Sequence, residues 1–152
     1  VETIQGNERL FGAEDVSDAR RAVEVALGEL DRTFGDVYGN DAGHLEFQYT
    51  ARASYALNKA FGAPIGKAFG ITVGAPAGIG VVLADTAVKA ATVDVIGYAS
   101  PAGGTSYSNE VISFLSGDSG AVRQAIIAAR EVGIPLLGAL GAKPESTTTP
   151  YI

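Results

Sequence analysis

VVLADTAVKAATVDVIGYASP (Val81–Pro101) and NEVISFLSGDSGAVRQAIIAAREVG (Asn109–Gly133) carry the pattern that decides the fold. In the first stretch Val81, Ala84, Val88 and Ala91 recur at the spacing of one helix face. The pattern then changes at Val93–Ala99 to a short β-rich run. In the second stretch Glu110–Leu115 reads as a strand. Ser119–Val132 reads as a helix that opens after Gly117 and Asp118. Upstream, Ala68–Val73 reads as a strand leading into a helix over Ala77–Ala91. The order is therefore strand, helix, strand, strand, helix.

Working toward the N-terminus, GAPIGK is a loop and ARASYALNKAFG a short helix. HLEFQYTA alternates Leu45, Phe47 and Tyr49 with Glu46, Gln48 and Thr50, as a half-buried strand does. Gly35, Gly39, Asn40, Asp41 and Gly43 form a turn-rich break. Before it, Ala19, Ala22, Val23, Ala26, Leu30 and Phe34 predict a helix over about 17–34, with Asp15 or Ser17 as its cap. Residues 1–10 show no clear pattern. The polar tail GAKPESTTTPYI is expected to be poorly ordered.

Two helices repeat. DVSDARRAVEVA from Asp15 aligns with DSGAVRQAIIAA from Asp118, pairing Arg20 with Arg123, Ala22 with Ala125, Val23 with Ile126 and Ala26 with Ala129. The segments before them, RLFGAED and SFLSGD, also match. This reads as two copies of one unit about 103 residues apart, with only the end of the first copy present. The chain starts at Val1 and has no Met, so it is expected to be a processed, truncated or partly observed form of something longer.

Composition narrows the function. The chain has 152 residues, 47% of them hydrophobic and 18% charged, which suits an ordered globular core. Its net charge of −6 argues against a nucleic-acid partner. No apolar run approaches the roughly 20 residues of a membrane-spanning helix. With no Cys, disulfides, thiolate metal sites and iron–sulfur clusters are excluded, and a single His (His44) makes a zinc site a poor expectation. No cofactor or metal is expected.

Three motifs each have a plain structural alternative. Gly74, Gly78 and Gly80 follow a strand and open a helix, as a phosphate-binding turn does, and Tyr55 and Lys59 form a Tyr-x-x-x-Lys pair. That combination suggests a truncated NAD(P)-dependent short-chain dehydrogenase. The pair lies upstream of the turn, however, and no acidic residue follows the strand VDVIGYA, so close strand–helix packing and subunit contact explain the glycines better. GDSG at Gly117–Gly120 has the form of a serine-nucleophile motif, with His44 upstream. Asp118 and Ser119 read more simply as a helix N-cap, and His44 as a solvated loop residue. The loop SPAGGTSYSN (100–109) is either a flexible hairpin connection or a lining of hydroxyls and backbone amides around a narrow opening. The sequence leaves both readings open.

The strand, the helix of type A-D-x-x-V-K-A-A-x-V, the strand ending in Gly-Tyr, the loop, the next strand and the G-D-x-x-A-V-x-x-A helix together resemble the bacterial microcompartment shell-protein domain, over about Ala68–Gly138. The strand and helix that should close that domain after Leu140 are absent. HLEFQYTA and ASYALNKAF precede it instead, as in a circularly permuted form. With the duplication, the chain is similar to the trimer-forming, tandem-domain type of propanediol and ethanol utilization.

The resemblance implies an α/β (α+β) fold: a ferredoxin-like open sandwich with helices on a mostly antiparallel sheet. It implies domain spans of 1–38 (C-terminal part of a first shell domain), 39–143 (a second, permuted domain) and 144–152 (a flexible tail). It implies no catalysis. The expected product is a homotrimeric, pseudohexagonal tile that packs with other shell proteins around enclosed enzymes, in a cytoplasmic microcompartment shell. In that family the V-K-A-A lysine lies at tile edges, here Lys89. The loop before the third strand lines the pore, here Ser100, Pro101, Ala102, Gly103, Gly104, Thr105, Ser106, Tyr107 and Ser108. Small polyols or aldehydes are the expected solutes in transit. A ferredoxin-like regulatory module that binds a small molecule is the other alternative.

Overall fold

The computed structural model describes residues 12–33, 36–100, 109–146 and 150–152. The chain divides into two compact units, Val1–Phe34 and Gly35–Ile152. The first contains helix α1 (Val16–Thr33). Asp15 serves its first turn: its Oδ1 accepts from the Ser17 hydroxyl at 2.5 Å and the Ser17 N–H at 2.7 Å. Those two bonds hold the Asp15 carboxyl below the usual carboxylate range.

The second unit is built on strands β1 (Val37–Asn40), β2 (Gly43–Thr50), β3 (Ala68–Ala75), β4 (Asp94–Ala99) and β5 (Val111–Gly117). They form one sheet in the order β1-β2-β3-β5-β4, and every neighbouring pair is antiparallel. Such a sheet has no parallel crossover at which a dinucleotide could sit. Helices α2 (Tyr55–Phe61), α3 (Ala77–Ala90) and α4 (Ser119–Ala139) complete the unit.

Alternation along the strands sends side chains to opposite faces. On one face Leu45, Phe47 and Leu115 meet Ile79, Leu83 and Ala87 of α3 and Val122, Ala125, Ile126, Ala129 and Leu137 of α4. On the other, Phe69 and Phe114 meet Phe61 of α2, with ring centroids 5.5 and 4.9 Å from it, and Ala53 and Ala63 close the cluster. Small residues set how closely the layers approach. A Cβ on Gly133 of α4 would lie 2.7 Å from Leu83 of α3, and Ala87, Ala125 and Ala129 are fully buried.

The three glycines of the β3–α3 turn divide. A Cβ on Gly74 would sit 2.5 Å from the Gly80 nitrogen, and one on Gly80 would sit 2.7 Å from Val111 Cβ. These two glycines are required by close backbone approach. Gly78 faces open space, so the packing role expected of it within this unit does not hold.

Three further expectations need correction. The turn-rich break contains strand β1, which pairs with β2 from Val37–Glu46 to Asn40–Gly43. The buried face of α3 is Ile79, Gly80, Leu83 and Ala87, not Val81, Ala84, Val88 and Ala91, because α3 is apolar on more than one face. Helix α4 does not stop near Val132. It runs on through Pro135 to Ala139, held by Leu137, which is fully buried.

Candidate functional site

The outer surface of α3 carries what the sheet leaves uncovered. Val81, Val82 and Val88 are 58%, 41% and 40% exposed. Among them stands Lys89, whose Nζ reaches Asp85 Oδ2, one turn earlier, at 2.5 Å. The spacing is the i,i+4 arrangement with the acid first, the favourable order on a helix, and it also places the cation at the C-terminal end. Both side chains are exposed, so the pair adds little to stability. It does fix where the ammonium points.

Strand β4 is the outermost strand on its side of the sheet. Among the described residues one row of its backbone groups has no strand neighbour, which is the usual place for another chain to pair. Its register slips between Val95 and Gly97. Val95 pairs with Leu115 and Tyr98 with Ser113, so both stand on the face that carries α3 and α4. They are 51% and 79% exposed. The outside of α3 and the edge strand β4 thus each expose apolar groups, and α3 also exposes the Lys89 ammonium.

The predicted pore loop is described only at its ends. Ser100 donates its hydroxyl to the Glu110 carbonyl at 2.8 Å, tying the end of β4 to the approach of β5. The Glu110 carboxylate lies 3.1 Å from His44 Nε2 at the start of β2. His44 therefore sits on a strand within hydrogen-bond distance of a carboxylate and is not a solvated loop histidine. Pro101, Ala102, Gly103, Gly104, Thr105, Ser106, Tyr107 and Ser108 lie outside the described residues.

The residues of the catalytic alternatives are not assembled. Ser119 Oγ meets the Tyr49 hydroxyl at 2.8 Å, and His44 lies five residues away along β2, about 17 Å at strand spacing. Asp118 occupies the N-cap position of α4 but makes no side-chain cap bond, and its carboxylate pairs with Lys67 at 3.0 Å. Lys59 sits over the Tyr55 ring at 5.6 Å, an ordinary surface cation–π pair. An open depression of about 310 Å³ lies at the other end of the sheet, lined by Lys67, Thr92, Asp94 and Asp118. Among the described residues no group of three or more His, Cys, Asp or Glu could hold a metal ion. No described helix is long and apolar enough to cross a membrane.

An antiparallel sheet carrying α3 and α4 on one face, with an uncovered rim, matches a known domain. Residues 68–142 fit the family model described as BMC domain, and the chain belongs to that bacterial microcompartment shell-protein family. It is 64% identical over 147 residues to the bacterial microcompartment shell protein PduB of Citrobacter freundii, covering 97% of this chain and 54% of that protein. Among solved structures, a trimeric bacterial microcompartment shell protein PduB superposes with a TM-score of 0.85 at 53% identity, over 93% of this chain and 62% of that one. EtuB from Clostridium kluyveri gives 0.85 at 56% identity, over 92% and 62%. The chain spans about half the length of the PduB relatives that it matches. These matches give no support to the dehydrogenase or to the regulatory module.

Proposed function

We propose that the chain is a structural component of a bacterial microcompartment shell of the propanediol, glycerol or ethanol utilization type. Three chains associate into a pseudohexagonal tile, and tiles join edge to edge with other shell proteins around enclosed enzymes inside the cell. The reading assigns no reaction to the chain. Its work is association and selective passage, with the 100–108 loop as the lining through which small hydroxylated or aldehyde metabolites cross.

The observation that carries the reading is the set of exposed apolar side chains on α3 (Val81, Val82, Val88) and on the edge strand β4 (Val95, Tyr98), with Lys89 exposed on the same helix. Groups of this kind gain free energy when a neighbouring copy covers them. We place Lys89 at the tile edge. The tandem reading assigns residues 1–38 to the end of a first shell domain, 39–143 to a second, permuted one and 144–152 to the tail. It is supported by the starts of α1 at Val16 and α4 at Ser119, which keep the offset that aligns Asp15 with Asp118.

Native mass measurement and electron microscopy of concentrated protein test the reading. Trimers that grow into sheets or tubes are expected. Lys89→Asp should leave the trimer mass unchanged and abolish extended layers. Unchanged layers in that variant would remove Lys89 from the edge, and a monomer at all concentrations would end the shell reading.

A further inference from the structure

The contact made by Tyr151 and Ile152 is more specific than a tail needs. Asp36 is fully buried, with a φ of 56° in the left-handed region that Asp tolerates better than most residues. Its Oδ1 accepts from Arg130 Nη1 at 2.5 Å. Its Oδ2 accepts from the backbone N–H of Tyr151 and of Ile152, each at 3.1 Å. Arg130 Nη1 also donates to the Ile152 carbonyl at 3.1 Å. The Tyr151 hydroxyl donates to Gln48 Oε1 at 2.7 Å, and Ile152 packs against the main core.

Two side chains thus read two successive amides and one carbonyl, while an apolar seat takes the second residue and a polar ledge takes the first. A carboxylate in such a place needs its donors. Without Tyr151 and Ile152, Oδ2 loses two of them. One carboxylate and one guanidinium together carry no net charge, so the pair suits neutral main-chain dipoles better than a charged ligand.

We propose that Asp36 and Arg130 form a binding site for an extended peptide segment in which an aliphatic residue follows an aromatic one, and that the chain fills this site itself with Tyr151–Ile152. The site accepts the same segment supplied from outside once its own is withdrawn. This inference does not depend on the shell reading.

The test uses the whole 152-residue chain with Tyr151→Pro and Ile152→Pro, which removes both amide donors. The probe is a labelled peptide of residues 144–152, amidated at its end and followed by fluorescence anisotropy. The variant should bind it saturably. The unmodified chain should bind at least about tenfold more weakly, because its own segment competes at high effective concentration. The same peptide N-methylated at its Tyr and Ile amides should not bind. No binding to a variant with native far-UV circular dichroism overturns the proposal, as does equal binding of the N-methylated peptide or of the unmodified chain. If the variant does not fold, hydrogen exchange on the unmodified chain decides. The Tyr151 and Ile152 amides should be protected there, and free exchange at both overturns the proposal.

Discussion

Along α3, Ile79, Leu83 and Ala87 are sealed against the sheet, while Val81, Val82 and Val88 on the same helix meet solvent. Composition does not separate the two faces, since both are aliphatic. What separates them is the backbone contact of Gly74 with Gly80, which rotates α3 so that its Ile79–Leu83–Ala87 side must face inward. The inner face therefore belongs to the fold. The outer face, exposed among the described residues, carries Lys89 and is the face to which the proposed association is assigned.

Four measurements break or sharpen that contrast. The largest effect is expected at the contact itself. Gly80→Val drives side-chain atoms into Val111 and the Gly74 carbonyl and should cost on the order of 4 kcal/mol, read as a fall in the denaturant midpoint. Gly78→Ala, facing open space, should be neutral or slightly stabilising. If both behave alike, the glycines do not set the rotation of α3.

Next comes the exchange of the two faces. Leu83→Ala should cost about 3 kcal/mol of folding stability, whereas Val81→Ser should change it by no more than about 0.5 kcal/mol and yet reduce layer formation. A Val81→Ser protein that unfolds as readily as Leu83→Ala would contradict the division. A smaller gain is expected under the helices. Thr72 is buried on β3 with no partner for its hydroxyl, so Thr72→Val should stabilise by about 1 kcal/mol in equilibrium unfolding.

The smallest effect lies away from α3 and gives a baseline. Burial raises the phenol pKa values of Tyr38 and Tyr151 above their usual value, and the nearby Asp36 carboxylate adds to both. The folded chain then holds these protons more tightly than the unfolded one. Their contribution is intact below the usual tyrosine pKa of about 10 and is lost as pH rises through the folded values. Melting temperature should therefore fall above about pH 10. Tyr38→Phe with Tyr151→Phe should flatten that fall, since neither replacement can ionise.

Much of the fold was legible because the motif run from Ala68 onward couples helix and strand periods in a fixed order. The ends of α3, β4 and β5 fall within about two residues of expectation. Strand β1 was hidden because Gly39 and Asn40 are residues of turns, and contacts distant in sequence hold them extended: pairing with β2, the bridge of Gly39 to Glu145 and the bonds from Asn40 Nδ2 to the Leu137 and Ala142 carbonyls. The length of α4 was hidden by Gly133 and Pro135, which normally end helices. Here Gly133 is the crossing point with Leu83, and burial of Leu137 outweighs the lost bond. Lys89 was singled out from its motif, and the structure places it on the exposed side of α3. Its partner Asp85, at i−4 within the same motif, could have been read from spacing alone. The exposed Val95 and Tyr98 depended on which strand lies at the edge, and local pattern does not carry that.

The contact of Gly74 with Gly80 also has a mechanical consequence. Strand and helix touch there main chain to main chain, with no side chain between them to act as a cushion. A displacement of α3 at Gly80 is passed straight into the central strand and cannot be absorbed there by a change of rotamer. The start of the helix is thus pinned to the strand at one point, while the turns from Leu83 onward rest on side chains.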